Sequence, residues 1–312
     1  MNLPGRPTPS GSGGAPTPAP TPDPEAPPSP PDSALPLATP SPPFGTRPEA
    51  ADAQESGPVP HPEAIAGSDP PPLRIDLLAI GPHPDDVELT SSGLLLRAKR
   101  LGWRTGAIEL TRGEMGTRGT VEKRQRELDR ATEILQLDYR HTLGLPDGGV
   151  RPTPEAIELL VRQLRMLDPR VIILPPPEDD EHPDHWHASQ LGLEAVHFAQ
   201  KIKYLPALPP MSRFGSIMYA IYRKPLEPHV VVDVTDVMTE AEQAVAVFDT
   251  QYGRDPDDQG APETIISNSN FLEWWRARRS RHGMLIGTRF GEGYRLRGPL
   301  RLDDPVAHLS KR

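Results

Sequence analysis

His83, Asp85 and Asp86 stand within four residues of one another in "AIGPHPDDVEL", and His182, Asp184 and His185 within four in "EHPDH", about 100 positions later. Two imidazoles and one carboxylate, His83, Asp86 and His185, suit Zn²⁺ with a coordination position left open for water. The same set suits Fe²⁺ in a facial triad, so the donor types leave the metal open. Asp85 and His182 remain beside such a metal without being needed as ligands. A carboxylate and an imidazole next to a metal-activated water are the parts of metal-assisted hydrolysis. Each motif alone has a plainer reading, since an Asp-Asp pair after a strand is usually a helix N-cap and a lone His there is usually a turn residue. The metal site rests on the two motifs being brought together. His187 and His197 read as solvent-facing or core-edge histidines, and Met115, Trp274 and Trp275 as packing residues. No G-x-G-x-x-G follows a strand, so a dinucleotide site is unsupported.

The elements around the motifs bring them together. "RIDLLAIG" is a strand that ends at His83, and "RVIILPPP" is a strand that precedes His182. Between them "TGAIELT" and "YRHTLGL" read as strands, and "VELTSSGLLLRAKRLG" and "TVEKRQRELDRATEILQL" as helices. A third helix follows Thr153-Pro154, with Ile157, Leu160, Val161, Leu164 and Leu167 as an amphipathic stripe. "SIMYAIY" and "HVVVDVT" are expected strands, and "TEAEQAVAVFDTQY" and "FLEWWRARRSRHG" expected helices. Repeated strand–helix–strand units predict a Rossmann-like, doubly wound α/β fold, a mostly parallel sheet with helices on both faces. In the order 3-2-1-4 the first and fourth strands are neighbours, and ligands bind at their carboxyl ends. Both motifs are delivered there.

Of 42 prolines, 23 lie in residues 1–72, together with eight acidic and two basic residues, so −6 of the chain's net −9 is found there. Such a segment has too little apolar surface to offset its ordering entropy, so residues 1–72 are expected to be a disordered Pro-rich acidic tail and residues 73–312 one domain. The tail lacks the basic start and continuous apolar core of a signal peptide. No apolar run approaches the length of a membrane span. A domain charge of about −3 gives no electrostatic case for nucleic acid. The absence of cysteine excludes disulfides and thiol catalysis, and fits a cytoplasmic location.

The two metal motifs, with "LTRGEMGTRGT", "LGLPDGG", "TQY" and "IGTRFGEGYRLRGPLRLDDP", resemble the PIG-L/LmbE family of zinc-dependent N-acetylglucosamine deacetylases, in its bacillithiol-biosynthesis branch. The resemblance covers Arg74 to Pro305 and omits the tail. It implies that His83, Asp86 and His185 bind zinc and that Asp85 is the general base. It implies that His182 is the second catalytic histidine, its ring oriented by Asp184. It makes Arg124 a substrate-contacting arginine and puts Glu114 and Asp147 in loops lining the sugar pocket. Two positions depart from the pattern. Glu181 stands where many relatives carry Arg, and Phe271 lies near the place of a mobile tyrosine.

The expected activity is therefore removal of acetyl from an N-acetylglucosaminyl conjugate, N-acetylglucosaminyl malate first. The same chemistry on another amino-sugar or thiol conjugate is the nearest alternative. A non-catalytic metal-holding protein with a tail-mediated binding role is the alternative of another class. The expected partner is a small-molecule amino sugar, with no nucleic acid and no membrane; a homo-oligomer is left open. Arg118, in the segment with Arg112 and Arg124, is expected to read an acidic aglycone.

Overall fold

The computed structural model describes residues 73–178, 182–252, 260 and 262–306. The tail assigned to residues 1–72, and the departure at Glu181, lie outside the described residues. The element order is β1 (Leu77–Gly81), α1 (Asp86–Arg100), β2 (Thr105–Glu109), α2 (Val121–Leu135), β3 (Tyr139–Thr142), α3 (Pro154–Leu167), β4 (Val171–Leu174) and α4 (Pro183–Ala199). It continues with β5 (Ser216–Ala220), β6 (Val230–Asp233), α5 (Met238–Ala246), α6 (Phe271–Leu285) and β7 (Gly291–Leu296).

One seven-stranded sheet runs β3-β2-β1-β4-β5-β7-β6. β3, β2, β1, β4 and β5 are parallel, and β7 runs antiparallel to both neighbours. The expected 3-2-1-4 order is present, so the carboxyl ends of β1 and β4 adjoin. Every residue of β1 and β2 is buried, as central parallel strands covered on both faces require. α3 and α4 cover one face and α1, α2, α5 and α6 the other, each with its own apolar core. The α3 stripe faces inward, and Thr153 caps that helix by accepting from Ala156 N at 3.2 Å.

β7 is not among the strands expected from the sequence. "GEGYRL" has two glycines and two charges where an apolar alternation would be. Its Glu292 is buried because Arg279 of α6 pairs with it at 2.8 Å, both side chains being 2% exposed. The same carboxylate accepts from Gly93 N at 3.0 Å and Leu94 N at 2.7 Å. Leu89 O in turn accepts from Trp275 Nε1 and Arg279 in α6. α6 and β7 therefore clamp the middle of α1, the helix whose first turn carries the site.

Candidate active site

β1 ends in Gly81-Pro82, and His83 to Asp85 turn the chain into α1. His83 N donates to Asp86 Oδ2 at 2.9 Å, and the loop after β2 is tied on by Thr111 N donating to Pro82 O at 2.9 Å. Asp85 occupies the N-cap position but its side chain makes no cap hydrogen bond. Its φ is 108°, a left-handed conformation that a non-glycine residue holds only when its surroundings impose it. The pair is therefore not an N-cap that happens to be acidic. The Asp85 carboxylate faces a cavity of about 610 Å³ shared with His83, Asp86, His182 and His185.

The second motif arrives from β4 through the N-terminus of α4. His182 is the N-cap, its Nδ1 accepting from Asp184 N at 3.2 Å, with Pro183 in the first turn. An accepting Nδ1 places the ring proton on Nε2. Burial, with His83 and His185 beside it, lowers the His182 pKa, so the ring is neutral.

Three donor groups converge. His83 Nδ1 lies 3.2 Å from Asp86 Oδ2, and His185 Nε2 lies 3.5 Å from Asp86 Oδ1. Ligands about 2.1 Å from one tetrahedral ion stand about 3.4 Å apart, so each separation, measured to a different Asp86 oxygen, is of the size that a shared zinc-sized divalent metal calls for. The other edge of His83 fits as well. Its Nε2 lies 3.1 Å from Asp147 Oδ1 and 3.4 Å from Asp184 Oδ2, without a well-aligned hydrogen bond to either. Carboxylates against the far nitrogen are the usual support of a metal-bound imidazole. Two groupings that omit Asp86 hold one donor atom per residue within 4.8 Å of one another, His83 with His182 and His185, and His83 with Asp147 and Asp184. We favour the set with Asp86, because His182 Nδ1 is taken by Asp184 N and the Asp184 carboxylate by Gly148 N and Val150 N.

The electrostatics separate the two adjacent aspartates. Burial raises the Asp86 pKa, but His185 and His83 outweigh it and hold the group below its ordinary value. Burial and the neighbouring Asp86 drive Asp85 well above its ordinary value, with Arg124 opposing. For His83, burial lowers the pKa, and the carboxylates of Asp147, Asp184 and Asp86 outweigh it.

The remaining expected residues divide. Arg124 lines the cavity, 5% exposed, and donates to Gln251 Oε1 at 2.6 Å. A Cβ on Gly113 or Gly116 would overlap its guanidinium, so those two glycines make the slot it occupies. Asp147 lines the cavity, but Glu114 does not; the exposed Glu114 carboxylate accepts from Asp147 N at 3.0 Å and fixes that loop. Arg118 is 9% exposed, donates to Pro262 O at 3.1 Å and is not among the residues that line the cavity. The Asp184 carboxylate supports His83 and the Gly148–Val150 turn; it is the Asp184 main chain that holds the His182 ring.

Met115 and Trp274 do not pack. They are 72% and 53% exposed on the cavity wall, while Trp275 is buried as expected. Phe271 stacks on Tyr252 at 5.2 Å between centroids, and the buried Tyr252 hydroxyl has no hydrogen-bond partner among the described residues. Among the cavity residues missed by sequence reasoning are Tyr222, whose ring lies 4.4 Å from that of His185, Arg223, Gln251 and Arg278. Gln251 belongs to the "TQY" stretch, but its partner is 127 residues away in sequence.

Residues 78–196 match the family described as PIG-L, GlcNAc-PI de-N-acetylase. A conserved protein from Thermus thermophilus is 35% identical, with a TM-score of 0.65 over 73% of this chain and 97% of that one. The chain belongs to the PIG-L family. Diacetylchitobiose deacetylase from Thermococcus kodakarensis is 29% identical over 233 residues, which are 70% of this chain and 82% of that protein. The N,N'-diacetylchitobiose deacetylase of Pyrococcus horikoshii, solved with an inhibitor, is 25% identical with a TM-score of 0.61 over 71% of this chain and 83% of that one. The PIG-L match spans β1 to α4, and so contains both halves of the site.

Proposed function

We propose that this PIG-L protein is a metal-dependent hydrolase that removes acetyl from an N-acetylglucosaminyl conjugate, with N-acetylglucosaminyl malate as the first candidate. The observation that carries the proposal is the convergence of His83 Nδ1, the Asp86 carboxylate and His185 Nε2 beside an uncapped Asp85 carboxylate, all on one cavity. Residues 73–312 are the proposed catalytic domain. Among the described residues no helix is long and apolar enough to cross a membrane, and the proposed partner is a small amino sugar.

A divalent metal held by His83, Asp86 and His185, for which zinc is our choice, supplies Lewis acidity toward the amide carbonyl and acidifies a water. Asp85 accepts the proton that water loses as it adds to the acetyl carbon. Burial of Asp85 favours the form that carries the proton between the two transfers. His182, neutral and protonated on Nε2, donates a hydrogen bond to the oxygen that gains charge. The C–N bond then breaks, Asp85 returns its proton to the nitrogen, and acetate and a free amine result. Arg124, held in its glycine slot by Gln251, is positioned to orient the sugar.

A second reading, the same reaction on a neutral amino-sugar disaccharide, is favoured by Trp274, whose exposed ring on the cavity wall offers a face on which a sugar can stack. Amine release from N-acetylglucosaminyl malate and from diacetylchitobiose, measured side by side, tests both. Turnover of neither removes the deacetylase assignment.

A further inference from the structure

Two arginines beyond the catalytic groups line the same cavity: Arg223, shortly after β5, and Arg278 in α6. Arg278 is fixed by main-chain carbonyls, donating to Tyr222 O and, at 3.3 Å, to Leu89 O. A guanidinium has five N–H donors and keeps its charge, so these two bonds leave three donors. Carbonyls supply dipoles and no counter-charge. Among the described residues no carboxylate forms an ion pair with Arg278. Glu292, an acid that acts on it electrostatically, is already taken by Arg279. Burial and the neighbouring Arg279 lower the Arg278 pKa to about 10, which records the cost of holding an uncompensated cation there.

The other candidate arginines are committed elsewhere. Arg124 is wedged by Gly113 and Gly116, bonded to Gln251, and acts on the carboxylates of Asp85 and Asp147. Arg118 is not in the cavity wall. Arg278 is anchored on Leu89 O, one helical turn from the metal-ligating position Asp86, and on Tyr222, whose ring packs on His185. Its charge is therefore set beside the catalytic groups, on a wall built from α6.

We propose that Arg278 forms a subsite for a carboxylate carried by the group attached to the amino sugar. The identity of the sugar rests on the deacetylase reading; the charge preference does not. A planar carboxylate matches the guanidinium fork and supplies the missing counter-charge. A neutral aglycone gains nothing from Arg278 and depends on Trp274 instead. Arg278 is thus a specificity-determining residue, distinct from the groups that break the amide.

Calorimetric binding of two deacetylated products, glucosaminyl malate and the neutral glucosaminyl-N-acetylglucosamine, tests this on the full chain. The wild type is expected to bind the acidic product at least about tenfold more tightly. Arg278→Gln should weaken that binding by about tenfold to a hundredfold, the worth of a charge-assisted hydrogen bond, and leave the neutral product within about twofold. Arg278→Lys, which keeps the charge without the fork, should recover part of the loss. Equal weakening of both products, no weakening of either, or a wild type without preference for the acid overturns the subsite. Charge-selective binding without acetate release from either acetylated conjugate would remove the deacetylase assignment and leave the subsite standing.

Discussion

Replacing Asp85 with asparagine should separate catalysis from stability. The side chain keeps its shape and loses its ability to accept the water's proton. Loss of a positioned general base costs about 10² to 10⁴ in rate, or roughly 3–5 kcal/mol of barrier. The fold should not suffer. Asp85 sits at φ 108° without a cap bond to lose, and asparagine tolerates left-handed backbone better than most residues. The folded-state pKa of Asp85 is raised by burial and Asp86, so the native protein binds that proton more tightly than the unfolded chain does. Stability therefore falls as pH climbs from the unfolded-state pKa through the folded-state one, and the penalty is present at neutral pH. Asparagine removes it. Each kcal/mol so gained would raise the melting temperature by about 2–4 °C in a domain of this size. The assay is amine release at saturating zinc, paired with melting of the chelator-treated protein at pH 7. Turnover within tenfold of wild type would show that another group is the base. A melting temperature several degrees lower would show that the Asp85 carboxylate stabilises the turn.

His83→Ala, Asp86→Ala and His185→Ala should each lose bound metal on purification, measured by elemental analysis; full occupancy in any one removes that residue from the ligand set. Gly116→Ala should displace the Arg124 guanidinium and lower kcat/KM by about tenfold or more while metal content holds, because a Cβ there overlaps that group; unchanged kinetics would show that Arg124 does not need its slot. Glu292→Gln breaks a buried pair whose members are both 2% exposed. It should cost about 3–5 kcal/mol in urea unfolding, and a loss under 1 kcal/mol would contradict the clamp on α1.

The parallel half of the fold was legible because its strands are buried on both faces and its helices carry clear apolar stripes and caps. That half contains both motifs, so the meeting of His83, Asp86 and His185 at one cavity could be expected from the strand order. β7 was not legible, since its strand character comes from flanking strands and from an Arg279 partner outside the segment. The loop between β2 and α2 was legible in composition and not in direction. Gly113, with φ 68°, and Gly119, with φ 75°, turn that loop, and only the fold shows that Arg124, in α2, lines the cavity while Arg118 does not. Arg278 was overlooked because "RARRSR" reads as a solvated helix face. Only the fold shows that one of its arginines looks into the site.

The central claim, a metal-dependent deacetylase built on His83, Asp86 and His185, is tested most directly by one titration. Chelator-treated protein is supplied with zinc in increments, and amine release from N-acetylglucosaminyl malate and diacetylchitobiose is followed. The predicted result is no turnover without metal and full turnover on at least one substrate at about one zinc per chain, as a single tetrahedral site requires. Full turnover in the metal-free protein, or none with metal restored, would contradict it.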